Sequence, residues 1–443
     1  MEHFDPAAAT AAYLATMSPA EMAKAIAYTR GGHWMILWGL LVNLAIAFVI
    51  VKTNLLTGIR DGIEGNRKRP YIASVVISLV YVVVTSILSL PWDSYVSWYR
   101  EKFYGLNNQT WIEWAGDQGK GLAISVVAAL IILPLLYLAI RRAGKMWWLW
   151  GAAVTGVFTI IGMVLAPTYI EPMFNTYTPA PPGAVRDAVV DLAHKTGTPD
   201  DKIFIFNGTK QSDRYTANVS GVFGSARVAL SDAMFKKNAD LSEIRAVVGH
   251  EMGHYVLNHG LKGAAVVTVL AAIAFWLVNL LFPLFRGLLG GDRIRDISDP
   301  AGMPVLFAVL AFVGTLATPL ANTLTRTQEA EADHFSMVHA NEPDGMARAL
   351  IKTAEYRAPS PTPLEEFFFY DHPSVENRIR AAMEWKAAHP KPGAPVAEPT
   401  PMPDTEWPST TGTTGPRTGP STGAATRDHP ATPSPDGKPT GKE

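Results

Sequence analysis

Long apolar stretches alternate with polar ones along this chain, and their lengths are the clearest signal in the sequence. Each apolar run has about 20 residues with few or no charges, the length that a helix needs to cross roughly 30 Å of hydrocarbon. Helices buried in a soluble core are the alternative, but so many runs in 443 residues favour membrane spans. The runs are Trp34–Val51, Tyr71–Leu90, Leu122–Ile140, Met146–Ala166, Ala264–Phe285 and Pro304–Leu324.

Two polar segments are long enough to carry structure outside the membrane. In residues 167–262 the pattern predicts a helix over Ala184–Thr196 and strands over Lys202–Phe206 and Ala226–Leu230. Residues 326–389 are predicted to be helical. We therefore expect a mainly α protein: a polytopic transmembrane helical bundle with a small α+β domain. The other predicted segments are an N-terminal extension at 1–30, a four-span region at 31–166, a two-span region at 263–325, and a tail at 390–443 rich in Pro, Thr and Gly that buries too little to fold.

The composition agrees with a membrane protein and excludes some chemistry. Hydrophobic residues make up 48% of the chain and charged residues only 17%, whereas soluble proteins carry about 25% charge. The formal net charge of −1 gives no electrostatic reason to expect a nucleic-acid partner. The chain has no cysteine, so disulfides, thiolate metal ligands and a cysteine nucleophile are excluded.

Basic residues in the short loops indicate an orientation for the spans. The loops after the first, third and fifth apolar runs contain more Lys and Arg than the loops on the opposite side. The positive-inside rule then places both polar segments outside the cytoplasm. An even number of spans separates the two segments, so they share one side of the membrane in either orientation.

The first polar segment contains a motif with metal-ligand spacing. His250 and His254 lie in a stretch, Leu241–His259, whose pattern predicts a helix that begins after Asp240. The two imidazoles are one turn apart on the same helix face, so both can reach one ion, and Zn²⁺ suits such ligands. Glu251 lies beside the pair. It can take a proton from a water molecule that the metal has made more acidic.

A third protein ligand is needed to leave one coordination position for water. Glu329 and Asp333 lie one turn apart on one face of a predicted helix, so Glu329 can bind zinc while Asp333 orients a ligand histidine. A solvated helix start is the alternative interpretation of these acids. We expect Glu331 to face away. His259 is nine positions from His250, so we expect it to point to the opposite face of the same helix.

Four blocks of sequence resemble the integral-membrane type I CAAX prenyl proteases, zinc endopeptidases of the gluzincin group. They lie within roughly residues 34–385, and a weaker fifth match is Phe103–Thr110. The four blocks are the metal motif Val248–His254, the motif Arg326-x-x-Glu329-x-x-Ala-Asp333, the segment Ala166–Pro179 that leaves the membrane, and His372-Pro-x-x-x-x-Arg378.

The resemblance implies a set of site residues. His372 and Arg378 are expected to face the substrate, with His372 helping to hold the oxyanion. Thr216 stands where the family usually has Asn. The next four residues are similar to the edge strand to which the substrate backbone adds, and they are Ala217, Asn218, Val219 and Ser220. The implied metal site consists of the zinc ligands His250, His254 and Glu329, the catalytic base Glu251, and Asp333 behind the ligands.

The resemblance also implies an architecture and a location. The family's fold is a ring of long helices that encloses a water-filled chamber, with the metal site at one end. Eukaryotic members have seven spans, whereas this sequence has six apolar runs. The family's catalytic side faces the cytosol, opposite to the side that the basic loops indicate, so the orientation stays open. We expect an integral multi-pass protein of the bacterial inner (plasma) membrane.

The favoured function is zinc-dependent hydrolysis of peptide bonds within a lipid bilayer, with prenylated CAAX tails or other membrane-associated peptides as substrates. An alternative of another class is a non-catalytic, zinc-stabilised membrane scaffold or holdase. Glu251 argues against it, since a structural zinc site has no use for a base at that position. A transporter would need polar residues inside several spans, and the runs contain few, chiefly Asn43, Asn279 and Asn322.

Overall fold

A computed structural model describes residues 4–221, 226–236 and 239–390. Most of these residues are helical, and a small sheet lies between the fourth and fifth apolar runs. The predicted tail lies outside the described residues from position 391 onward. The helices are α1 Pro6–Leu14, α2 Pro19–Lys52, α3 Leu55–Glu64, α4 Pro70–Asp93, α5 Arg100–Phe103, α6 Trp111–Ala143, α7 Trp147–Leu165, α8 Ala184–Thr196, α9 Leu241–Val256, α10 His259–Leu288, α11 Met303–His339, α12 Pro343–Thr353, α13 Pro363–Phe369 and α14 Val375–Ala388.

Five segments of the described chain are long and apolar enough to cross a membrane. Four of them are Pro19–Lys52, Pro70–Phe103, His259–Leu288 and Pro300–His339. The fifth, Trp111–Met173, has 63 residues and contains both α6 and α7. These two helices pack against each other because the chain turns at Gly144, whose φ is 54°. The six predicted apolar runs therefore lie on six helices.

The outer surface of these helices is apolar. Trp150, Leu280 and Leu316 each expose more than 60% of their surface, which would be costly in water and is favourable in lipid. Side chains on the opposite faces form a core between the helices, with Ile77 and Met303 fully buried in it. The fold class predicted from the apolar runs is therefore confirmed, while the enclosed chamber stays a prediction.

The sheet has four short strands in the order β1-β2-β4-β3. One of its two inner strands, β4, is buried at every residue and pairs in parallel with β2 and antiparallel with β3. Two strands lie within two residues of the predicted positions, and β3 coincides with the stretch that resembles an edge strand. The strand β1 was not predicted, because its prolines indicated turns; Pro179 is tolerated there since β1 lies at the sheet edge. The strands are β1 Tyr177–Pro179, β2 Ile203–Phe206, β3 Ala217–Ser220 and β4 Arg227–Ser231.

The membrane helices continue into the polar region without a break. The segment boundary predicted at residues 325/326 lies inside α11, and the boundary at 262/263 lies inside α10. The N-terminal extension is also part of the fold. Tyr13 on α1 is buried against α12 and α14, and its hydroxyl donates to Asp344 at 2.8 Å. Helices from both ends of the described chain, α1 and α14, therefore pack together in the polar region.

The helix predicted over Leu241–His259 ends earlier than expected. It stops at Val256, and Asn258 adopts the left-handed conformation with φ 57°. A new helix, α10, then begins at His259. Asn tolerates this conformation better than most residues. The prediction that His259 points to the opposite face of a continuous helix is therefore wrong, because α9 and α10 have different axes.

Candidate metal centre

The helix α9 is fixed at its start and along one face. Asp240 caps it by accepting from the backbone N–H of Ser242 at 2.8 Å, as its position before the helix predicted. Arg348 from α12 donates to the same carboxylate at 2.7 Å. One face of α9 packs Ile244, Val248 and Met252 into the core beneath the sheet. This packing leaves another face of α9 for α11.

Two glycines on α9 allow α11 to approach closely. A Cβ atom on Gly249 would lie 2.8 Å from the Ser336 hydroxyl, and one on Gly253 would lie 3.2 Å from the Cα of Ala332. The Ser336 hydroxyl also donates to the carbonyl of Ala246 at 2.7 Å, which joins the two helices. Each glycine immediately precedes a candidate ligand histidine, so the close contact lies directly beside the imidazoles.

The three candidate ligands converge at this contact. The Nε2 atoms of His250 and His254 are 3.0 Å apart. Glu329 lies opposite them, with Oε2 3.2 Å from Nε2 of His250 and Oε1 3.4 Å from Nε2 of His254. One ligand atom from each residue lies within 4.8 Å of the others. These three donors could therefore bind one metal ion together.

The electrostatics of the donors fit a cation. Within the described chain, the buried Oε2 of Glu329 has no hydrogen-bond partner, which leaves a carboxylate oxygen for a metal. Burial opposes protonation of His250, but the carboxylates of Asp333 and Glu329 raise its pKa to about 9. Burial and the charge of His250 lower the pKa of His254 to about 4. A positive charge is thus favoured beside His250, while His254 keeps a neutral ring, the form in which imidazole binds a metal.

Glu251 lies beside the predicted ligands on α9. Desolvation by the surrounding protein raises its pKa to about 7, although the charge of His250 opposes the shift. A carboxyl group with such a pKa can both accept and return a proton near neutral pH. This property suits the predicted role of a general base.

Asp333 lies behind His250, as the sequence predicted. Its Oδ1 is 2.9 Å from Nδ1 of His250, so the ring keeps Nε2 directed toward Glu329. Arg378 forms a bidentate pair with the same carboxylate, with Nε and Nη2 donating at 2.7 and 2.6 Å. That Arg378 faces the substrate stays a prediction. The Nε–Nη2 edge of its largely buried guanidinium is directed at Asp333, because a bidentate pair uses one edge of each group.

The structure places His372 beside the three donors. Its Nε2 is 3.2 Å from Oε2 of Glu329, and its Nδ1 is 2.9 Å from the carboxylate of Asp371. The backbone is held in place there, because Arg326 donates to the carbonyl of Tyr370. A histidine in this position can reach a group bound at the candidate metal site.

The stretch Ala217–Ser220 forms strand β3 at one end of the sheet and also packs against α9. In the described part of the sheet, β3 pairs with β4 on one side only. The Oδ1 of Asn218 and the Oγ of Ser220 are buried without a hydrogen-bond partner among the described residues. An extended peptide that paired with this edge would lie next to the helix that carries Glu251.

Two residues of the site were missed from the sequence. Nδ1 of His259 lies 2.9 Å from Nδ1 of His254, and Nε2 of His259 lies 3.0 Å from the carboxylate of Glu331. Glu331 does face away from the candidate metal, as predicted, but it contacts this third histidine. The signal that could have revealed the contact is Asn258, whose tolerance of positive φ allows the helix to end before His259.

Taken together, membrane-spanning helices and a largely buried group of two imidazoles and a carboxylate with an adjacent glutamate define an integral-membrane metallopeptidase. Comparisons with known proteins agree. A model of peptidase family M48 matches residues 179–386. A model described as the CAAX prenyl protease N-terminal region, with five membrane helices, matches residues 6–176. The chain belongs to the type I CAAX prenyl protease family, a family of metalloendopeptidases.

The relatives match along most of the chain. The uncharacterized metalloprotease YhfN of Bacillus subtilis is 27% identical over 376 residues, which covers 83% of this chain and 86% of that protein. CAAX prenyl protease 1 of Saccharomyces cerevisiae is 28% identical over 390 residues, covering 80% and 84%. The crystal structure of S. mikatae Ste24p has the same fold, with a TM-score of 0.70 at 22% identity over 83% of this chain and 90% of that one.

We predict that Gly253→Ala weakens metal binding, because the added methyl group forces α9 and α11 apart. Such overpacking costs about 1–3 kcal/mol. Gly263→Ala is the matched control, since the new Cβ on α10 meets nothing within 4 Å. Both substitutions raise the helix propensity by the same amount. A difference in unfolding temperature or metal content between the two variants therefore reports the contact between α9 and α11. Thermal unfolding in detergent and metal content after dialysis are the measurements. Equal values for the two variants would contradict the packing argument.

Proposed function

We propose that the chain is a zinc-dependent endopeptidase whose active site is built from His250, His254, Glu329 and Glu251. The observation that carries this proposal is the convergence of two Nε2 atoms and a buried carboxylate group within 4.8 Å of one another, where one carboxylate oxygen has no hydrogen-bond partner among the described residues. Two imidazoles and one carboxylate are a donor set that Zn²⁺ takes in catalytic sites, where a fourth position stays open. When bound, zinc supplies the Lewis acidity that makes water a nucleophile near neutral pH.

The side chains around the candidate metal site have different roles in the reaction. Glu251 accepts the proton of the attacking water and returns it to the amine that leaves, which its raised pKa allows. His372 donates a hydrogen bond toward the developing oxyanion, since its Nε2 lies next to Glu329 and its Nδ1 is held by Asp371. Arg378 acts through Asp333, which orients the ring of His250.

The substrate backbone pairs with strand β3 as an added strand. The main chain of Ala217–Ser220 provides this edge, so pairing does not depend on the side chain at Thr216. A peptide held there is extended and presents one peptide bond to the group that His250 and Glu251 form. The Oδ1 of Asn218 and the Oγ of Ser220 lie on this strand without a hydrogen-bond partner among the described residues.

The proposed substrates are peptides attached to membranes, including prenylated CAAX-type tails. The support is twofold. Several relatives carry the name CAAX prenyl protease 1. In addition, α11 runs from a membrane-spanning region directly to Glu329, so the active site lies close to the bilayer.

We place the protein in a bacterial plasma membrane, which the similarity to a Bacillus subtilis protein supports. A nucleic-acid partner is not part of the proposal.

Glu251→Gln tests the catalytic role. The amide has nearly the same shape but cannot accept a proton, so we expect the variant to keep zinc while cleavage falls about 100- to 10,000-fold. Zinc content and the cleavage rate of a fluorogenic peptide, with and without chelator, are the measurements. Glu376→Gln on α14, where the carboxylate pairs with the exposed Arg380, is the matched control. Unchanged cleavage by Glu251→Gln would eliminate the proposal and leave a zinc-stabilised scaffold as the better account.

The substrate class is tested with one peptide in two forms, prenylated and unmodified, presented to the protein in lipid vesicles. We expect the prenylated form to have the lower KM, because the lipid anchor concentrates it at the bilayer. The same pair in detergent, where no bilayer gathers the anchored form, is the control. Equal KM values for both forms in vesicles would contradict recognition at the membrane, without affecting the assignment of Glu251.

A further inference from the structure

His259 is a buried histidine with two specific partners. It exposes 3% of its side chain. One ring nitrogen, Nδ1, faces the candidate ligand His254 at 2.9 Å, and the other, Nε2, faces Glu331 at 3.0 Å. The three side chains come from α9, α10 and α11, so they connect the three helices that surround the metal centre.

The contacts among His254, His259 and Glu331 determine which ring nitrogen of each histidine carries the proton. Nε2 of His254 faces His250 and Glu329, so a metal would bind there and the proton of the ring must be on Nδ1. That N–H donates to Nδ1 of His259, which therefore accepts. The proton of His259 is then on Nε2 and is donated to the carboxylate of Glu331. The opposite tautomer of His259 would bring two N–H groups face to face at 2.9 Å.

We propose that His259 and Glu331 are positioning residues for metal binding: Glu331 fixes the tautomer of His259, which in turn holds His254 with its Nε2 lone pair toward the ion. The inference rests on the proposed metal site. Glu331 exposes 47% of its side chain and makes an additional contact to Lys262 at 3.5 Å. Its role is therefore not to fill the core.

The arrangement mirrors the support of the other ligand histidine. Asp333 accepts from Nδ1 of His250 directly, whereas Glu331 reaches Nδ1 of His254 through the ring of His259. Both acids lie on α11, two and four residues after Glu329, so one helix supplies a ligand and holds both imidazoles. Hydrogen bonds of this kind typically improve metal affinity about 10- to 100-fold.

Four variants of the full-length protein test the inference by zinc affinity, measured in competition with a chromophoric chelator. Glu331→Ala and His259→Leu remove the hydrogen bonds. Glu331→Gln keeps an oxygen that accepts from Nε2 of His259, and His259→Asn keeps one that accepts from Nδ1 of His254. Asp191→Ala, which breaks an exposed ion pair with Lys195 on α8, is the control for loss of a surface carboxylate.

We expect Glu331→Ala and His259→Leu to lower zinc affinity about 10- to 100-fold, while Glu331→Gln and the control stay near wild type and His259→Asn recovers part of the loss. Metal-free Glu331→Ala should still unfold in a cooperative transition, because the side chain of Glu331 exposes 47% of its surface and fills no core position. Wild-type affinity in both Glu331→Ala and His259→Leu would overturn the inference, as would equal losses in Glu331→Ala and Glu331→Gln. If the wild-type chain bound no zinc, the proposed function itself would fail.

Discussion

The metal centre depends on the close approach of two helices, α9 and α11. Neither helix can form the site alone, because α9 supplies both imidazoles and α11 supplies the carboxylate. Gly249 and Gly253 remove the Cβ atoms that would keep the helix axes apart. Since each glycine directly precedes a histidine, the shortest distance between the helices coincides with the ligands. The close packing of the two helices therefore also sets the positions of the candidate metal ligands.

The helix α11 is continuous from an apolar, membrane-spanning part to the candidate metal centre. It begins at Met303, ends at His339, and carries Glu329, Glu331 and Asp333 on its last turns. Polar groups at this depth are costly unless they are paired. Here each acid has a basic partner: His250 for Glu329, Arg378 and His250 for Asp333, and His259 for Glu331. The charges of these acids are thus stabilised by the same contacts that orient the ligands.

Much of this arrangement could be predicted from the sequence because its signals are local. Apolar run length indicates spans, and a spacing of four residues puts His250 and His254 on one helix face. Glu329 is distant in the chain, and its assignment as a ligand depended on the resemblance of its motif to a family. The structure then brought these three residues together, and the family was confirmed by the comparisons with known proteins.

What could not be predicted depends on single backbone angles and on long-range pairs. The periodicity of Leu241–His259 fits one helix, yet a left-handed Asn258 redirects His259 toward His254. Arg378 carries no local sign of its partner. Only the packing of α14 against α11 shows that its guanidinium contacts Asp333. A one-residue break and a distant ion pair leave no periodic signal in the sequence.

X-ray absorption spectroscopy of the purified, zinc-loaded protein reports the number and type of ligand atoms around the ion, and so tests whether α9 and α11 together bind it. We expect one zinc per chain, with two imidazole nitrogens at about 2.0–2.1 Å and the remaining positions filled by oxygen. Replacing Glu329 by Ala should remove a carboxylate oxygen and keep both imidazoles. A zinc ion surrounded by oxygen alone, or a Glu329→Ala spectrum identical to that of the wild type, would contradict this expectation.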